Sequence, residues 1–346
     1  MNRAADERAA DVRRLLAAGR RVYDDRARIA PEIARSTGLT LEGALFGFSC
    51  LERDASEAEL RSLIDAAGDA ERVHVVLSAN VFVAPLRAMA IARAASERVT
   101  VRPSPRDPTL ARELQRAVDD KAIAIVTDRD VASVDRGEIH VYGRADTVAA
   151  VRARARPGVV VRGHGPGMGV ALVTEGAEIT AAAEAIASDV VPFDQRGCLS
   201  PRIVMVEGNV ARGESLAAAL HVRLEDWEAQ VPRGSLAEAE RAEAARWRET
   251  VRFVGHVWDG AGDVVGFVRS VSAALVPPPG RHILVAALAS FDQVAAALAE
   301  VARYVVVVGS DDPERVRAST PAGARVVSLG RMQRPPLDGP VDRRSI

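Results

Sequence analysis

Short apolar runs rich in β-branched residues alternate with alanine-rich helical runs over residues 73–162, and this alternation constrains the fold more than any other feature of the chain. The runs at 73–77, 99–102, 122–127, 138–142 and 158–162 have the length and composition of strands. Strands that alternate with helices at this spacing form βαβ units and a parallel sheet. We therefore expect an α/β fold whose ligands bind at the carboxyl ends of the strands.

Length and composition predict a globular protein with two cores. The chain has 346 residues, 48% of them hydrophobic, and a formal net charge of −1. This length predicts two domains, and the charge balance gives no basic surface for nucleic acid. The sequence contains no run of ~20 apolar residues, so we expect no membrane span. We expect residues 1–190 to form the first domain and 191–308 a smaller second one, with 309–346 returning to the first.

The surroundings of the two cysteines differ. Cys50 follows an apolar run, whereas Cys198 lies in a turn bounded by glycine and proline, between a helical run and an apolar strand. A thiol on such a loop can be exposed and reactive, although an inert loop cysteine fits the same pattern equally well. Two distant cysteines form no disulfide framework, and the charged N-terminus resembles no secretory signal, so we expect a cytoplasmic protein.

Two sequence blocks resemble one enzyme family. Residues 194–201 read Asp-Gln-Arg-Gly-Cys-Leu-Ser-Pro, and residues 329–338 read Leu-Gly-Arg-Met-Gln-Arg-Pro-Pro-Leu-Asp. The first resembles the nucleophile loop of the aldehyde dehydrogenase superfamily. Both resemble signatures of its acyl-CoA reductase branch, which forms long-chain aldehyde for bacterial luminescence. The resemblance covers residues 73–338. It implies a parallel-sheet nicotinamide-binding domain with a smaller α/β catalytic domain carrying the cysteine loop.

The resemblance also implies a reaction. It implies that NADPH, or alternatively NADH, reduces a long-chain acyl-CoA to the fatty aldehyde through a thioester on Cys198. Loop amides, or the nearby Arg196 and Arg202, can lower the pKa of this thiol and so raise its thiolate fraction. The implied partners are an acyl-CoA or acyl-protein substrate, an acyl-protein synthetase and a second copy of the chain.

Asn80 is the second predicted catalytic residue. It ends the first strand of the predicted sheet, where an asparagine often does no more than close a turn. The resemblance implies that its side-chain NH2, together with the backbone N–H of Cys198, binds the oxyanion that forms on the substrate carbonyl.

The predicted cofactor residues follow the strands of the same sheet. Arg102 and Ser104 lie in a Val-Arg-Pro-Ser segment that resembles the superfamily's Val-Lys-Pro-Ser, which contacts the adenosine ribose. An arginine there favours NADPH, because it can bind a 2′-phosphate bidentately. Gly143 begins a turn into a helix, and Asp146 or Thr147 is expected to cap that helix and point its N–H groups at a pyrophosphate.

The glycine-dense block at 162–169 replaces a segment that carries a glutamate in oxidising aldehyde dehydrogenases. Gly165 is expected to let the backbone approach the nicotinamide or the thioester. His164 stands near the place of the glutamate, and both a catalytic role and a simple turn role remain open. The block has no carboxylate, which fits an enzyme that does not hydrolyse its thioester.

The sequence gives no sign of a metal site, and it leaves two alternative functions open. The histidines share no metal-ligand spacing, so no metal is expected. After residue 338 the chain departs from the family signature, which leaves open a catalytically impaired relative that serves as a subunit of an acyl-processing complex. A cysteine acyltransferase without a hydride step is the other alternative.

Overall fold

The computed structural model describes residues 3–127 and 130–344. Residues 1–2, 128–129 and 345–346, which the predicted domains include, lie outside these ranges. The α-helices are α1 (Ala5–Asp24), α2 (Arg26–Thr37), α3 (Leu41–Gly47), α4 (Glu57–Ala67), α5 (Ala84–Ala95), α6 (Thr109–Val118), α7 (Ala145–Arg154), α8 (Ile179–Val190), α9 (Val210–Gln230), α10 (Glu238–Val254), α11 (Val294–Ala297) and α12 (Pro313–Val316). The strands are β1 (Val73–Val76), β2 (Val99–Arg102), β3 (Ile123–Ile125), β4 (Glu138–Tyr142), β5 (Val160–His164), β6 (Met168–Val173), β7 (Pro201–Glu207), β8 (His256–Asp259), β9 (Val264–Val268), β10 (His282–Leu288), β11 (Val305–Ser310) and β12 (Arg325–Ser328).

The first sheet has five strands in the order β3-β2-β1-β4-β5, and all neighbouring pairs are parallel. The carboxyl ends of its five strands therefore lie along the same edge of the sheet. Helix α5 is buried along nearly its whole length under β1, because its alanines allow the backbones to approach closely. Helices α1, α4 and α6 pack around α5 and bury its other sides. Helix α7 packs on the opposite face of the sheet through Val148 and Val151.

The second sheet has seven strands in the order β12-β11-β6-β7-β10-β9-β8. Among the described strands, β8 alone pairs antiparallel, at one edge. Helices α8 and α9 cover one face, and apolar side chains from α11 and α12 cover the other. Because both faces are covered, β6, β10 and β11 are almost continuously buried, as is usual for parallel strands.

The predicted α/β class and the parallel first sheet are confirmed. The sheets change between His164 and Met168, whereas the predicted domain division falls at 190/191, between α8 and β7, which both belong with the second sheet. The glycine-dense block concealed β6, since glycine is a poor strand former. Residues 309–346 first complete the second sheet with β12 and then reach the first domain, where Arg87 on α5 donates to the carbonyl oxygens of Pro335 and Pro336.

Within residues 3–127 and 130–344, no helix combines the length and apolar character that a membrane span needs.

Candidate active site

A cavity of about 240 Å³ lies between the carboxyl edge of the first sheet and the loop that precedes β7. Its wall includes five residues that the sequence singled out: Asn80 after β1, Gly143 after β4, His164 and Gly165 at the end of β5, and Cys198 on the loop. The parallel order β1-β4-β5 places the first four at neighbouring strand ends. The structure therefore brings the predicted nucleophile and the predicted oxyanion donor into one cavity.

The remaining predicted cofactor residues lie outside the cavity wall. Arg102 ends β2, and Ser104 follows it in a turn where its hydroxyl accepts from the Arg106 backbone N–H. Asp146 and Thr147 lie in the first turn of α7, but neither caps the helix. The N-cap residue is Arg144, and no side chain makes a capping hydrogen bond there. The predicted cap is therefore wrong, because the helix begins at Ala145, before either side chain is in position to cap it.

The nucleophile loop has an uncommon backbone. Phe193, Asp194 and Gln195 have φ values of 58°, 49° and 62°, in the left-handed region that costs roughly 1–2 kcal/mol for each residue with a side chain. Buried contacts hold this conformation. The Asp194 carboxylate accepts from Arg281 at 2.9 Å. The Gln195 amide spans from the loop to β10, since it both donates to and accepts from the His282 backbone.

The C-terminal signature packs directly against this loop. Gln333 donates through Nε2 to the carbonyl oxygen of Asp189 at 2.7 Å and to the Ser200 hydroxyl at 3.0 Å. The Asp189 carboxylate accepts from the N–H groups of Gly330 and Met332 at 2.7 and 2.9 Å. Burial raises the pKa of Asp189 to about 7. The two sequence blocks are thus two sides of one structure that positions Cys198.

Comparison with known proteins decides the family. The family model for Acyl-CoA reductase (LuxC) matches residues 48–342. The chain belongs to the acyl-CoA reductase family. This confirms the predicted resemblance and the predicted enzyme class, an aldehyde-forming oxidoreductase. No curated protein sequence matches the chain closely enough to count as a relative.

Solved structures confirm the aldehyde dehydrogenase fold. A NAD-dependent benzaldehyde dehydrogenase from Corynebacterium glutamicum is 14% identical, with 92% of this chain and 81% of that chain covered and a TM-score of 0.71. A gamma-glutamyl-gamma-aminobutyraldehyde dehydrogenase from Burkholderia cenocepacia J2315 is 15% identical, with 92% and 76% covered and a TM-score of 0.70. The NADP-dependent glyceraldehyde-3-phosphate dehydrogenase from Bacillus halodurans C-125, complexed with NADP, is 15% identical, with 94% and 78% covered and a TM-score of 0.68.

The thiol of this acyl-CoA reductase is protonated at neutral pH. The Cys198 side chain is half-buried, and its desolvation, followed by the Asp342 carboxylate, raises the pKa of the thiol to about 11. Arg344, the Cys198 backbone N–H and Arg202 act in the opposite direction but do not outweigh burial. The expectation of a lowered pKa is therefore wrong. Arg196 faces Asp194 and Glu240 instead, at 3.6 and 3.5 Å.

Asn80 keeps its amide group available as a donor. Its Oδ1 accepts from Arg106 at 3.4 Å, which fixes the orientation of the amide. Within the described residues, its Nδ2 has no hydrogen-bond partner. The residue is exposed and borders both the Cys198 cavity and an adjoining cavity beside α10. Asn80 can therefore donate to a carbonyl oxygen that reaches Cys198.

Two aromatic rings stack at the ends of β4 and β5, and the sequence analysis singled out only one of them, His164. Tyr142 and His164 stack with their ring centroids 4.4 Å apart and their planes inclined by 13°. The Tyr142 hydroxyl is buried and has no hydrogen-bond partner in the described structure, and burial raises its pKa. Burial lowers the pKa of His164 to about 4, so its ring is neutral at pH 7. An aromatic residue directly before the Gly143 turn was the available signal for Tyr142.

Asp342 is a second residue that the sequence did not indicate. It lines the cavity with Cys198, and its two carboxylate oxygens accept from Nε and Nη2 of Arg344, each at 2.7 Å. Arg344 also donates to the carbonyl oxygens of Arg303 and Pro166, at 2.5 and 3.2 Å. This tail segment follows the point where the resemblance ends, so no motif marked it. Within the described residues, no group of three or more His, Cys, Asp or Glu side chains is placed to hold a metal ion.

Proposed function

We propose that this chain reduces long-chain acyl-CoA to the fatty aldehyde with NADPH, through a thioester on Cys198. The observation that carries the proposal is the cavity itself. It combines the Cys198 thiol with the unpaired amide donor of Asn80. One wall, formed by α5 and the segment that leads into it, is apolar and offers Val81, Val83, Ala84 and Ala88 to an alkyl chain.

Covalent catalysis begins when the Cys198 thiol loses its proton to solvent and the thiolate adds to the carbonyl carbon of the acyl-CoA. The negative charge moves to the carbonyl oxygen, where the Asn80 amide and the Cys198 backbone N–H stabilise it. The carbonyl re-forms as the C–S bond to CoA breaks, so CoA thiolate leaves and the acyl group stays on Cys198.

A reduced nicotinamide cofactor, when bound, supplies the hydride that converts this acyl group to a thiohemiacetal. The described residues fit that group. The buried Tyr142 hydroxyl lines the cavity without a partner and can donate to a carboxamide oxygen. Gly143 and Gly165 expose backbone on the same wall, and Asp146 and Thr147 lie in the first turn of α7. Arg102 at the end of β2 and Ser104 after it are proposed to bind the ribose and its 2′-phosphate. Cys198 then regains its electron pair as the aldehyde leaves.

The wider setting of the reaction is part of the proposal. It includes an acyl-CoA or acyl-protein substrate, an acyl-protein synthetase as partner, a homo-oligomer and a cytoplasmic location. NADH is the alternative cofactor. These assignments rest on the family resemblance, since no contact of the described residues bears on them.

The decisive experiment is to mix the protein with NADPH and acyl-CoAs of several chain lengths, and to follow the absorbance of the reduced nicotinamide. Cys198→Ala is expected to abolish the reduction and the acyl adduct seen by intact-mass analysis, with NADPH binding retained. Cys50 is still present in that variant, so the loss assigns the nucleophile to Cys198. Acylation without NADPH consumption would indicate an acyltransferase, and absence of both in the unaltered protein would indicate an inactive subunit.

A further inference from the structure

A second, larger cavity shares a wall with the catalytic cavity. It is a groove of about 580 Å³, and Cys50, Glu52 and Pro335 line both spaces. The groove runs between the loop after α3, the start of α12 and the edge strand β12. None of its lining residues belongs to β1–β5 or to the loops that follow those strands. It therefore borders the catalytic cavity on a different side from the residues proposed for the nicotinamide.

Four arginines line this groove, which we call the arginine groove: Arg53, Arg317, Arg331 and Arg334. Two of these cations are unneutralised. Within the described residues, the exposed side chains of Arg331 and Arg334 have neither an ion pair nor a hydrogen bond. The Arg53 guanidinium lies over the Tyr23 ring, 3.9 Å from its centroid, which leaves its edge able to bind an anion.

The carboxylates of the groove are already engaged. Glu52 accepts from the buried Arg87 at 2.8 Å, and Glu314 pairs with Arg317 at 2.8 Å. Asp54 pairs with Arg20 at 2.7 Å. Glu59 accepts from the backbone N–H groups of Ser56 and Leu337, at 2.6 and 3.1 Å. The charge that remains for a ligand is therefore positive and is concentrated at Arg331 and Arg334.

We propose that the arginine groove binds the phosphate groups of CoA, while the pantetheine arm passes Cys50 and Pro335 towards Cys198. This inference rests on the proposed function, because it assumes that a CoA thioester reaches Cys198. Guanidinium groups bind phosphate oxygens bidentately, and two or three of them match the several phosphates of one CoA molecule. The acyl end then lies in the catalytic cavity, and the nicotinamide approaches from the ends of β4 and β5.

The test compares two thioesters of the same acyl group in the full-length protein. One is the acyl-CoA, and the other is the acyl-N-acetylcysteamine, which has no phosphate. The double variant Arg331→Gln/Arg334→Gln is expected to lose about 10- to 100-fold in kcat/KM for acyl-CoA, roughly tenfold for each charge-assisted contact. Its kcat/KM for acyl-N-acetylcysteamine and its Kd for NADPH should remain as in the parent. Arg246→Gln, an exposed arginine on α10, is the matched control and should change none of these values.

Three results would overturn the assignment. These are an unchanged kcat/KM for acyl-CoA, an equal loss for both thioesters, and a weakened Kd for NADPH, which would place the cofactor's phosphates in the groove. Direct binding of CoA to Cys198→Ala, with and without the two arginine substitutions, separates this proposal from the proposed function. If neither thioester acylates Cys198 in the parent protein, the proposed function fails. CoA binding that depends on Arg331 and Arg334 would then still support the groove, and binding that does not depend on them would reject it.

Discussion

The side-chain amide of Gln333 donates to the Ser200 hydroxyl at 3.0 Å and so joins the C-terminal signature to the loop that carries Cys198. The same nitrogen donates to the Asp189 carbonyl at the end of α8. Both partners are buried, and water cannot replace this amide without new space. Gln333 thus holds the two ends of the 189–200 segment in one arrangement.

Gln333→Ala should therefore impair both folding and the acylation of Cys198. Leaving the buried Asp189 carbonyl and Ser200 hydroxyl without this donor is expected to lower the free energy of unfolding by about 1–3 kcal/mol. The rate of acylation should fall roughly tenfold, since small displacements of a nucleophile are costly. Denaturant unfolding and a burst assay of CoA release measure the two effects. Gln115→Ala, at a glutamine on α6 whose side chain makes no hydrogen bond within the described residues, is the control. Equal effects at both sites would contradict the assigned role.

The sequence predicted the elements of the first sheet well because their signals are local. The runs at 99–102 and 138–142 have the observed bounds of β2 and β4. Of the strands that were missed, β6 and β9 contain glycine, which is a poor strand former. The alanine-rich composition of residues 291–302 predicts a helix, because alanine has the highest helix propensity. This prediction is wrong over much of the segment, since only 294–297 is α-helical, between short 3-10 turns.

Three residues that the sequence singled out for their chemistry or their place after a strand, Cys198, Asn80 and Gly143, line one cavity, and their functional roles stay predictions. Tyr142 and Asp342 were not predicted, because their importance depends on what surrounds them in space. The pKa of Cys198 could not be predicted either. Nearby arginines in the sequence suggested a lowered value, whereas burial in the folded chain dominates and raises it.

Tyr142→Phe tests the proposed nicotinamide contact. The hydroxyl has no partner in the described structure, so its removal should not destabilise the free protein and should stabilise it by about 1 kcal/mol. If the hydroxyl binds the cofactor, the Kd for NADPH should rise several-fold, with little change in acylation of Cys198. Fluorescence titration and thermal unfolding give the two values. An unchanged Kd would remove Tyr142 from the cofactor site.

Asn80→Ala tests the oxyanion site. The loss of one preorganised donor is expected to lower kcat by about 10²- to 10³-fold, with a smaller change in KM. Arg106→Gln should give a weaker loss, because Arg106 only orients the Asn80 amide. Steady-state kinetics of the two variants give the comparison. If Asn80→Ala keeps the parental kcat, Asn80 does not bind the oxyanion and only closes a turn.

Asp342 should suppress the reactivity of the thiol. Cys198 has a pKa of about 11 in the structure, so its thiolate fraction, and with it the acylation rate, should rise about tenfold per pH unit between pH 7 and 9. Because the Asp342 carboxylate raises this pKa, Asp342→Asn should lower it and shift the profile to lower pH. Stopped-flow acylation or iodoacetamide labelling measures the shift. A slower reaction at every pH would instead indicate that Asp342 accepts the thiol proton.

The acyl group on Cys198 is expected to persist when no reduced cofactor is present. In the described structure the carboxylates that line the cavity are Glu52 and Asp342, and arginines engage both: Arg87 donates to Glu52, and Arg344 donates to both oxygens of Asp342. A carboxylate held in this way is a poor base for water, and the block at 162–169 adds none. Incubation with acyl-CoA alone should therefore release about one equivalent of CoA per site and then stop, with the acyl group on Cys198 by intact mass.

Arg344→Gln provides the matching test, because it frees Asp342 without removing the carboxylate. The variant should release CoA continuously and accumulate free fatty acid, since the freed carboxylate can then activate water. Arg344→Gln combined with Asp342→Asn should restore the single burst. Addition of NADPH to the acylated parent protein should discharge the group as aldehyde. Continuous hydrolysis by the parent protein would show that another base activates water in this cavity, and the neutral His164, which lines it, would be the candidate.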